Sequence, residues 1–238
     1  MAKLHVASLQ VVDIGDLPRA GASWIGERLH AAIAARGTAS LALAGGNTPR
    51  AIYEQLASVP IEWDRVHLFF GDERCVPPDD PSSNFRMARE ALLDRVGAPH
   101  VHRMPGERED REAAAAEYAA ELPDALDAIV LGMGEDGHTA SLFPGTDWSR
   151  ATGRKVIVVT GAPKPPPIRL SVTPDVIWAA RARLVLATGA GKAEQVRLAL
   201  EGDAVPSLHP VHTVGDATWL VDRAAAFRLS KQNGRRVG

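Results

Sequence analysis

Short apolar runs alternate along the chain with longer segments in which apolar side chains recur every three or four residues. The short runs, rich in branched aliphatic side chains, predict β-strands, and the helical spacing predicts amphipathic helices. Strands are predicted at residues 4–12, 40–44, 66–70, 129–131, 156–159, around 169, 184–188 and 217–221. Helices are predicted at residues 18–36, 49–56, 86–96 and 113–122, and from just after residue 192 to 200.

This alternation predicts an α/β fold of the three-layer, Rossmann-like kind, in which a mostly parallel open sheet carries helices on both faces. No long linker divides the sequence, so we expect a single domain over residues 1–238. In such sheets the carboxyl ends of the parallel strands share one edge, and ligands bind there. The loops after four of the predicted strands carry the unusual residues, and we expect these loops to converge on one site.

Composition narrows the classes of partner. The chain is 45% hydrophobic, and its formal net charge is -2 with acidic and basic residues well mixed. This balance provides no electrostatic footprint for nucleic acid or for an anionic membrane, so neither is expected as a partner. The single cysteine, Cys75, rules out an internal disulfide, and the sequence opens without the apolar run of a signal peptide. We expect a cytoplasmic protein that binds a small molecule and is a monomer or small homo-oligomer.

The most informative stretch is residues 127–145, where the strand predicted at 129–131 breaks into a glycine-rich loop. Three glycines within six residues let the backbone turn sharply and approach a ligand closely. Asp136 and His138 are separated by one glycine, so the end of the strand presents a carboxylate and an imidazole together. Such a pair can activate water by general-base catalysis, and histidine is suited to this because its ordinary pKa is near 6.5.

A second glycine loop, residues 45–49, lies between a predicted strand and a predicted helix. Free N–H groups and the positive end of the helix dipole make such a position an anion site. An ordinary tight turn, with Thr48 as the helix N-cap and Pro49 in the first turn, is the alternative that these residues alone leave open. Arg169 and Lys192, both at predicted strand ends, favour the anion site because they can supply charge-assisted hydrogen bonds to a phosphate.

The charged triplet at residues 72–74 follows another apolar strand. In isolation it is typical of a solvated turn, but its place beyond a buried strand favours a role for Asp72 and Arg74 at the site. Cys75, which comes next, has no catalytic cysteine signature around it and is expected to be a small packed side chain.

Other motifs are weaker. The glycines of the 132–137 loop match a dinucleotide fingerprint formally, but Pro144 and Gly145 interrupt the helix that the fingerprint requires. The loop at 189–193 has Ala193 where a nucleotide-binding loop places the hydroxyl that holds magnesium. The histidine pairs at 100/102 and 209/212 lack a zinc-binding pattern, and we expect them at the surface or in caps. The sequence therefore predicts no cofactor and no metal.

Taken together, the informative stretches resemble the 6-phosphogluconolactonases of the pentose phosphate pathway through nearly the whole chain. The resemblance is carried by residues 43–49, by 70–74 with Ser83-Asn84, by 131–144, by Pro167-x-Arg169 with Thr173, and by residues 189–193. Asn47 and Ser171 replace a commoner serine and a commoner threonine, and both keep a polar side chain.

The resemblance implies a metal-independent hydrolase that converts 6-phosphoglucono-δ-lactone and water to 6-phosphogluconate. The expected phosphate-binding residues are Gly45, Gly46, Asn47, Thr48, Arg169 and Lys192. His138 would take a proton from the attacking water, and Asp136 would orient it. Arg74, from its place in the family motif, would stabilise the negative charge on the carbonyl oxygen. Asp72 would hold either Arg74 or a sugar hydroxyl.

The same resemblance implies two alternatives that share the fold. Glucosamine-6-phosphate deaminases/isomerases are similar to this chain at residues 72–73 and 136–138, but typically have tyrosine where Arg74 stands and glutamate where Phe143 stands. The sugar-phosphate-sensing domains of some transcription regulators bind without catalysis. They follow a DNA-binding domain, for which the strand predicted at 4–12 leaves no room.

Overall fold

The computed structural model describes residues 6–145, 151–203 and 205–230. The strands in this part of the chain are β1 Val6–Val12, β2 Ala39–Leu43, β3 Val66–Phe70, β4 Asp72–Arg74, β5 His100–Val101, β6 Ala128–Gly132, β7 Val156–Val159, β8 Arg169–Val172, β9 Arg183–Ala187 and β10 Ala217–Asp222. The helices are α1 Leu17–Arg36, α2 Asn47–Leu56, α3 Asn84–Ala88, α4 Asp94–Val96, α5 Arg111–Glu121, α6 Pro174–Ala179, α7 Ala193–Glu201 and α8 Arg223–Ala226. A π-helical turn, Arg89–Leu93, joins α3 to α4, and short 3₁₀ helices occupy Trp63–Arg65, Ala190–Lys192 and Pro210–Val214.

Seven strands form one open sheet in the order β1-β10-β9-β6-β2-β3-β5, and every pairing in it is parallel. The central strands are continuous apolar runs because both faces of a parallel sheet are covered. In β6, for example, the side chains of Ile129, Val130 and Leu131 are all buried. The predicted class, an α/β fold built on a mostly parallel open sheet, is confirmed.

Two helices begin at residues other than those predicted, because the N-cap residue determines where each helix begins. The helix predicted from residue 86 begins at Asn84, because the Ser83 hydroxyl accepts a hydrogen bond from the Arg86 N–H at 3.1 Å. Helix α2 begins at Asn47 with Gly46 at the N-cap, so the prediction that Thr48 is the N-cap is wrong. Thr48 lies within the first turn, and its hydroxyl is hydrogen-bonded to that of Thr188 at 2.8 Å.

Strands β4, β8 and β7 form a second, antiparallel sheet, which the alternation of strands and helices did not predict. Only Gly71 separates β3 from β4, so the chain passes directly from the main sheet into the small one. In the small sheet Asp72 lies opposite Ser171, and Arg74 lies opposite Arg169. Arg169, expected at the end of a strand, is instead the first residue of β8, and this pairing brings it to the site.

The centre of the main sheet is a topological switch point. Strands β2 and β6 lie side by side, and the next main-sheet strands, β3 and β9, are on opposite sides of this pair. Loops that leave adjacent strands in opposite directions open a crevice between them. The loops that follow β2 and β6 are the two glycine loops of the predicted site.

Two buried tyrosines fix the carboxyl ends of β2 and β3. The Tyr53 hydroxyl, on α2, accepts a hydrogen bond from the Ala44 N–H at 2.8 Å and donates one to the Ala44 carbonyl at 3.1 Å. The Tyr118 hydroxyl, on α5, makes the same pair of bonds with Phe70, at 2.7 and 2.9 Å. Burial raises the pKa of both phenols far above the ordinary value. The loops that follow β2 and β3 therefore each start from a fixed point.

Candidate active site

A cavity of about 330 Å³ opens in the crevice at the ends of β2 and β6. The structure brings the predicted site residues together around it. All of them except Asp136 line it: Gly45, Gly46, Asn47, Thr48, Asp72, Arg74, His138, Arg169 and Lys192. Asp136 contacts the cavity residue His138.

The glycine loop after β6 holds Asp136 and His138 in a fixed relation. The Asp136 Oδ1 lies 2.5 Å from Nδ1 of His138 and accepts a hydrogen bond from the His138 N–H at 3.1 Å. A side chain at Gly134 would place its Cβ 2.1 Å from the same Nδ1, so the close approach of backbone and imidazole requires glycine. The Phe143 ring packs against the other side of the imidazole, with ring centroids 4.7 Å apart.

This arrangement decides which imidazole nitrogen is basic. Burial opposes the ionised form of Asp136, but the hydrogen bonds and charge of His138 outweigh it and lower the pKa of that carboxyl. The carboxylate thus accepts the proton of Nδ1, and the lone pair is at Nε2. Within the described residues Nε2 has no hydrogen-bond partner, so the structure leaves it free to accept a proton in the cavity.

Asp72 connects three parts of the site. Its Oδ2 accepts a hydrogen bond from the Ser141 hydroxyl at 2.6 Å, and its Oδ1 accepts one from the Asn84 amide at 3.1 Å. The nearest guanidinium nitrogen is Nη1 of Arg169, 4.0 Å from Oδ2. No hydrogen bond joins Asp72 to Arg74 in the described part of the chain. The sequence left open whether Asp72 holds Arg74 or a sugar hydroxyl, and the described residues show no contact of the first kind.

Arg74 lies at the rim of the cavity with part of its hydrogen-bonding capacity unused. Its Nη1 donates to the Ser82 carbonyl at 2.5 Å. Its Nε is buried and has no partner among the described residues. Its Nη2 has no hydrogen-bond partner among the described residues and is not enclosed like Nε, so this nitrogen can donate to a ligand oxygen.

Two further cations face the cavity from different elements. Arg169 is only 5% exposed, and it donates to the carbonyls of Lys164 at 2.9 Å and Pro166 at 3.2 Å. Lys192 is partly buried, and none of the described residues accepts a hydrogen bond from its ammonium group. Burial lowers the pKa of both groups, for Arg169 together with the neighbouring charge of Arg74. Removing cations from water in this way is unfavourable, and a bound anion would offset it.

The backbone at the start of α2 completes an anion-binding geometry. Gly46 has φ +106°, in a region that residues with a side chain rarely adopt, and this conformation turns the chain from β2 directly into the helix. The unpaired N–H groups of the first helical turn then face the cavity.

Several residues that shape the site were not predicted from the sequence. Lys164 and Asn84 both line the cavity. Lys164 is a lone cation in a proline-rich run, which was a usable signal, whereas Asn84 entered only through the family resemblance. Glu73 was treated as one member of a charged triplet, yet it is 3% exposed. Its carboxylate accepts hydrogen bonds from the N–H groups of Arg74, Asn84 and Phe85 and from the Ser83 hydroxyl.

The cysteine and the two histidine pairs that were discounted from the sequence lie outside the cavity. Cys75 is half-buried, and burial raises the pKa of its thiol, which does not favour a nucleophile. His102 is hydrogen-bonded to Glu121 at 2.8 Å. His212, expected at the surface or in a cap, is buried. Within the described ranges no group of three or more His, Cys, Asp or Glu side chains is arranged to hold a metal, and no helix there is long and apolar enough to span a membrane.

Comparison with known proteins gives concordant matches. Residues 13–221 match the model of a family described as glucosamine-6-phosphate isomerases/6-phosphogluconolactonase. A 6-phosphogluconolactonase of Synechocystis sp. is 40% identical over 217 residues, which are 85% of this chain and 89% of that protein. One of Streptomyces coelicolor is 40% identical over 221 residues, or 83% of this chain and 85% of that protein. The crystal structure of a 6-phosphogluconolactonase from Shewanella baltica is similar with a TM-score of 0.86 and 28% identity, covering 93% of this chain and 100% of that one.

Proposed function

The chain belongs to the glucosamine-6-phosphate isomerase/6-phosphogluconolactonase family, and we propose that its site carries out the lactonase reaction. In this reaction 6-phosphoglucono-δ-lactone is hydrolysed to 6-phosphogluconate, a step of the oxidative pentose phosphate pathway. One observation carries the proposal. A single cavity holds both a carboxylate-oriented imidazole with a free Nε2 and two cations with lowered pKa values.

The phosphate of the substrate binds at the start of α2. Backbone N–H groups of residues 45–48 contact its oxygens, and Lys192 and Arg169 supply charge-assisted hydrogen bonds. The cavity of about 330 Å³ is of a size for one phosphorylated sugar. With the phosphate in this place, the lactone ring extends toward the loop that carries His138.

Hydrolysis begins when Nε2 of His138 takes a proton from water as the water oxygen bonds to the lactone carbonyl carbon. The carbonyl oxygen becomes an oxyanion, which the Arg74 guanidinium stabilises. The bond from the former carbonyl carbon to the ring oxygen then breaks. That oxygen takes the proton back from His138 and becomes a sugar hydroxyl, so the imidazole is regenerated. Asp136 keeps Nδ1 protonated throughout, and Asp72 fixes Ser141 and contacts a sugar hydroxyl.

Phe143 favours this reaction over deamination. A deaminase that opens a sugar ring needs an acid near the ring oxygen, and glutamate is typical of that position in the related enzymes. In this chain the apolar ring of Phe143 occupies that position. Its centroid is 4.7 Å from the His138 ring centroid and 5.6 Å from the guanidinium carbon of Arg169.

The location, domain organisation and partners of the enzyme are proposed from the composition of the chain and from the connection between its two sheets. We propose a cytoplasmic location, supported by the single cysteine, and one domain over the chain, supported by the direct passage from β3 to β4 between the two sheets. We also propose a monomer or small homo-oligomer that binds neither nucleic acid nor membrane, supported by the net charge of -2.

The proposal is tested by offering the purified protein freshly prepared 6-phosphoglucono-δ-lactone and, separately, glucosamine 6-phosphate. Acid release from the lactone is followed against the spontaneous rate, and ammonia release is followed with the amino sugar. We expect hydrolysis of the lactone well above the spontaneous rate and no ammonia. Ammonia release would favour the deaminase alternative. Tight sugar-phosphate binding without turnover of either compound would favour a sensor.

A further inference from the structure

Ala140 has a backbone conformation that stands out in the described part of the chain. Its φ is +48°, and it is the one non-glycine residue there with a positive φ. It lies two positions after His138 and lines the same cavity. Left-handed conformations are unfavourable for residues with a Cβ, and they persist at functional sites where the surroundings enforce them.

The residues on both sides of Ala140 provide that enforcement. The Thr139 hydroxyl donates to the Gly132 carbonyl at 2.9 Å, and the Thr139 carbonyl accepts the Leu142 N–H at 2.9 Å. The Ser141 N–H donates to the Ser171 hydroxyl at 3.1 Å, while the Ser141 side chain binds Asp72. Ala140 is thus fixed by contacts to β6, to the small sheet and within its own loop.

The N–H of Ala140 is unused in this arrangement. No described residue accepts a hydrogen bond from it, whereas the N–H groups of His138 and Ser141 are both bonded to side chains. Ala140 lines the cavity, and its side chain is a single methyl group, the smallest that a residue other than glycine can place beside its backbone. An unpaired N–H is costly where water is excluded, so a donor held in this way is suited to a ligand oxygen.

We propose that the Ala140 N–H is a second oxyanion donor, which acts together with Arg74; this inference rests on the proposed lactone hydrolysis. When the water oxygen bonds to the carbonyl carbon, the carbonyl electron pair moves onto the oxygen, and the Ala140 N–H hydrogen-bonds to it. The same pair reforms the carbonyl when the bond to the ring oxygen breaks. Ala140 and His138 line the same cavity two positions apart, so that one loop carries both the donor and the base.

The test removes this single hydrogen and leaves the side chain in place. Lactic acid is incorporated at position 140 of the full chain by nonsense suppression, which replaces the amide N–H with an ester oxygen. Loss of one preorganised donor lowers kcat by about 10²–10³-fold. KM for the lactone and the decline of the rate in acid are expected to stay as in the parent. The matched control carries the same substitution at Ala114, whose N–H donates to the carbonyl of Asp110, the N-cap of α5, and it keeps the parent kcat.

A second measurement does not depend on folding of the ester variant. In the unmodified protein, selectively ¹⁵N-labelled at alanine, the product carboxylate is expected to shift the Ala140 amide proton downfield and slow its exchange with solvent. The inference is overturned if the folded ester variant keeps the parent kcat, or if the Ala140 amide is unchanged by product. Absence of lactone hydrolysis in the unmodified protein would instead overturn the proposed function itself.

Discussion

At His138 a single contact decides which ring nitrogen accepts a proton. The Asp136 carboxylate lies 2.5 Å from Nδ1, so the nitrogen left to act as the proposed base is Nε2. In a His138→Asn variant the size and a hydrogen-bonding edge remain, but the titrating nitrogen is lost. We expect kcat to fall by about 10²–10⁴-fold, the usual contribution of a general base. Steady-state kinetics with the phosphorylated lactone, and calorimetric binding of 6-phosphogluconate to show an intact pocket, provide the measurement.

The dependence of the rate on acid pH should distinguish a general-base role of His138 from a structural one. In the parent enzyme the rate declines as acid protonates an imidazole base, and the residual rate of the variant should lack that decline. His30→Asn, at an exposed histidine on α1 that is hydrogen-bonded to the Pro60 carbonyl, is the matched control. A folded His138→Asn protein with most of its turnover and the parent pH dependence would remove His138 from the mechanism.

At Lys192 the prediction concerns binding of the phosphate. Lys192→Met removes a charge but keeps the length and apolar character of the side chain. A charge-assisted hydrogen bond contributes about 1.5–3 kcal/mol, so kcat/KM for the phosphorylated lactone should fall by roughly 10- to 150-fold, mainly through KM. Unphosphorylated gluconolactone should be nearly indifferent to the change. Arg169 is a less clean target because it also holds the carbonyls of Lys164 and Pro166.

The control for this variant is Arg65→Met, which removes an exposed cation next to the first residue of β3, at the edge of the sheet opposite the cavity. It should leave both substrates unaffected. Equal losses for the phosphorylated and unphosphorylated lactones in Lys192→Met would show that Lys192 does not bind the phosphate.

Single residues were predictable from the sequence where local spacing fixes their relation. One glycine between Asp136 and His138 is enough to bring the two side chains together once the preceding strand is recognised. The hydrogen bonds of Glu73 were not predictable, because they depend on how the loop after β4 folds back to bring the start of α3 against this carboxylate. The position of Ser141 against Asp72 was not predictable because the two residues are 69 positions apart. The conformation of Ala140 likewise depends on contacts to β6 and to the small sheet, and no local sequence rule favours it.

Among the elements, β4 and the start of α3 are held together by one buried carboxylate. Each oxygen of Glu73 accepts two hydrogen bonds: Oε1 from the N–H groups of Arg74 and Asn84, and Oε2 from Phe85 N–H and the Ser83 hydroxyl. In a Glu73→Gln variant the new NH₂ group faces donors wherever it points, so at least one buried N–H loses its acceptor. We expect the free energy of unfolding to fall by about 1–3 kcal/mol, measured by urea denaturation.

An exposed acid provides the comparison for this loss. Glu62→Gln, at an exposed carboxylate that pairs with Arg65 on the surface, should change stability by a few tenths of a kcal/mol. If Glu73→Gln were as stable as the parent, the hydrogen bonds to Glu73 would not be what holds this connection.

The elements themselves differed in how well the sequence predicted them. Strands β2, β3, β6 and β9 were found because a buried parallel strand is a short, continuous apolar run. The small sheet was missed because β4 has only three residues, all charged, and because its pairing with β8 joins segments almost a hundred positions apart. No propensity marks such a strand, since its stability comes from the pairing.

For the whole molecule, His212 makes stability depend on pH. Burial, together with the nearby His209, lowers the pKa of His212 to about 4, and its Nδ1 accepts the Val205 N–H at 2.8 Å only while neutral. The unfolded chain binds this proton near pH 6.5, before the folded chain does, so stability is full above that pH and is lost as the pH falls toward 4. The loss is on the order of 3 kcal/mol.

Urea denaturation at several pH values between 7.5 and 4 measures this dependence, and the difference between parent and variant isolates the histidine. His212→Asn should have a shallower decline, while His30→Asn should follow the parent. Parallel curves for His212→Asn and the parent would show that His212 is not responsible. Glu73 acts in the opposite direction, because burial raises the pKa of its carboxyl, and it is common to both proteins.

At the scale of the whole molecule the sequence predicted the class of the fold and the edge of the sheet where the cavity opens, because the alternation of strands and helices determines both. The order of the strands was not predictable. It places β2 beside β6, although 84 residues separate Leu43 from Ala128, and so determines which two loops form the crevice. That choice depends on how helices from distant parts of the chain pack together.

Tyr53 and Tyr118 give the protein an optical property that follows from their place at the ends of β2 and β3. They are the two tyrosines of the chain, and each hydroxyl is hydrogen-bonded to both the N–H and the carbonyl of one residue at the carboxyl end of its strand. An exposed phenol ionises near pH 10 and then absorbs at longer ultraviolet wavelengths. The folded protein should therefore show no phenolate absorbance even well above that pH. Phenolate absorbance should appear only when α2 or α5 leaves the sheet, so a difference spectrum in mild alkali reports whether the strands beneath a site variant are still in place.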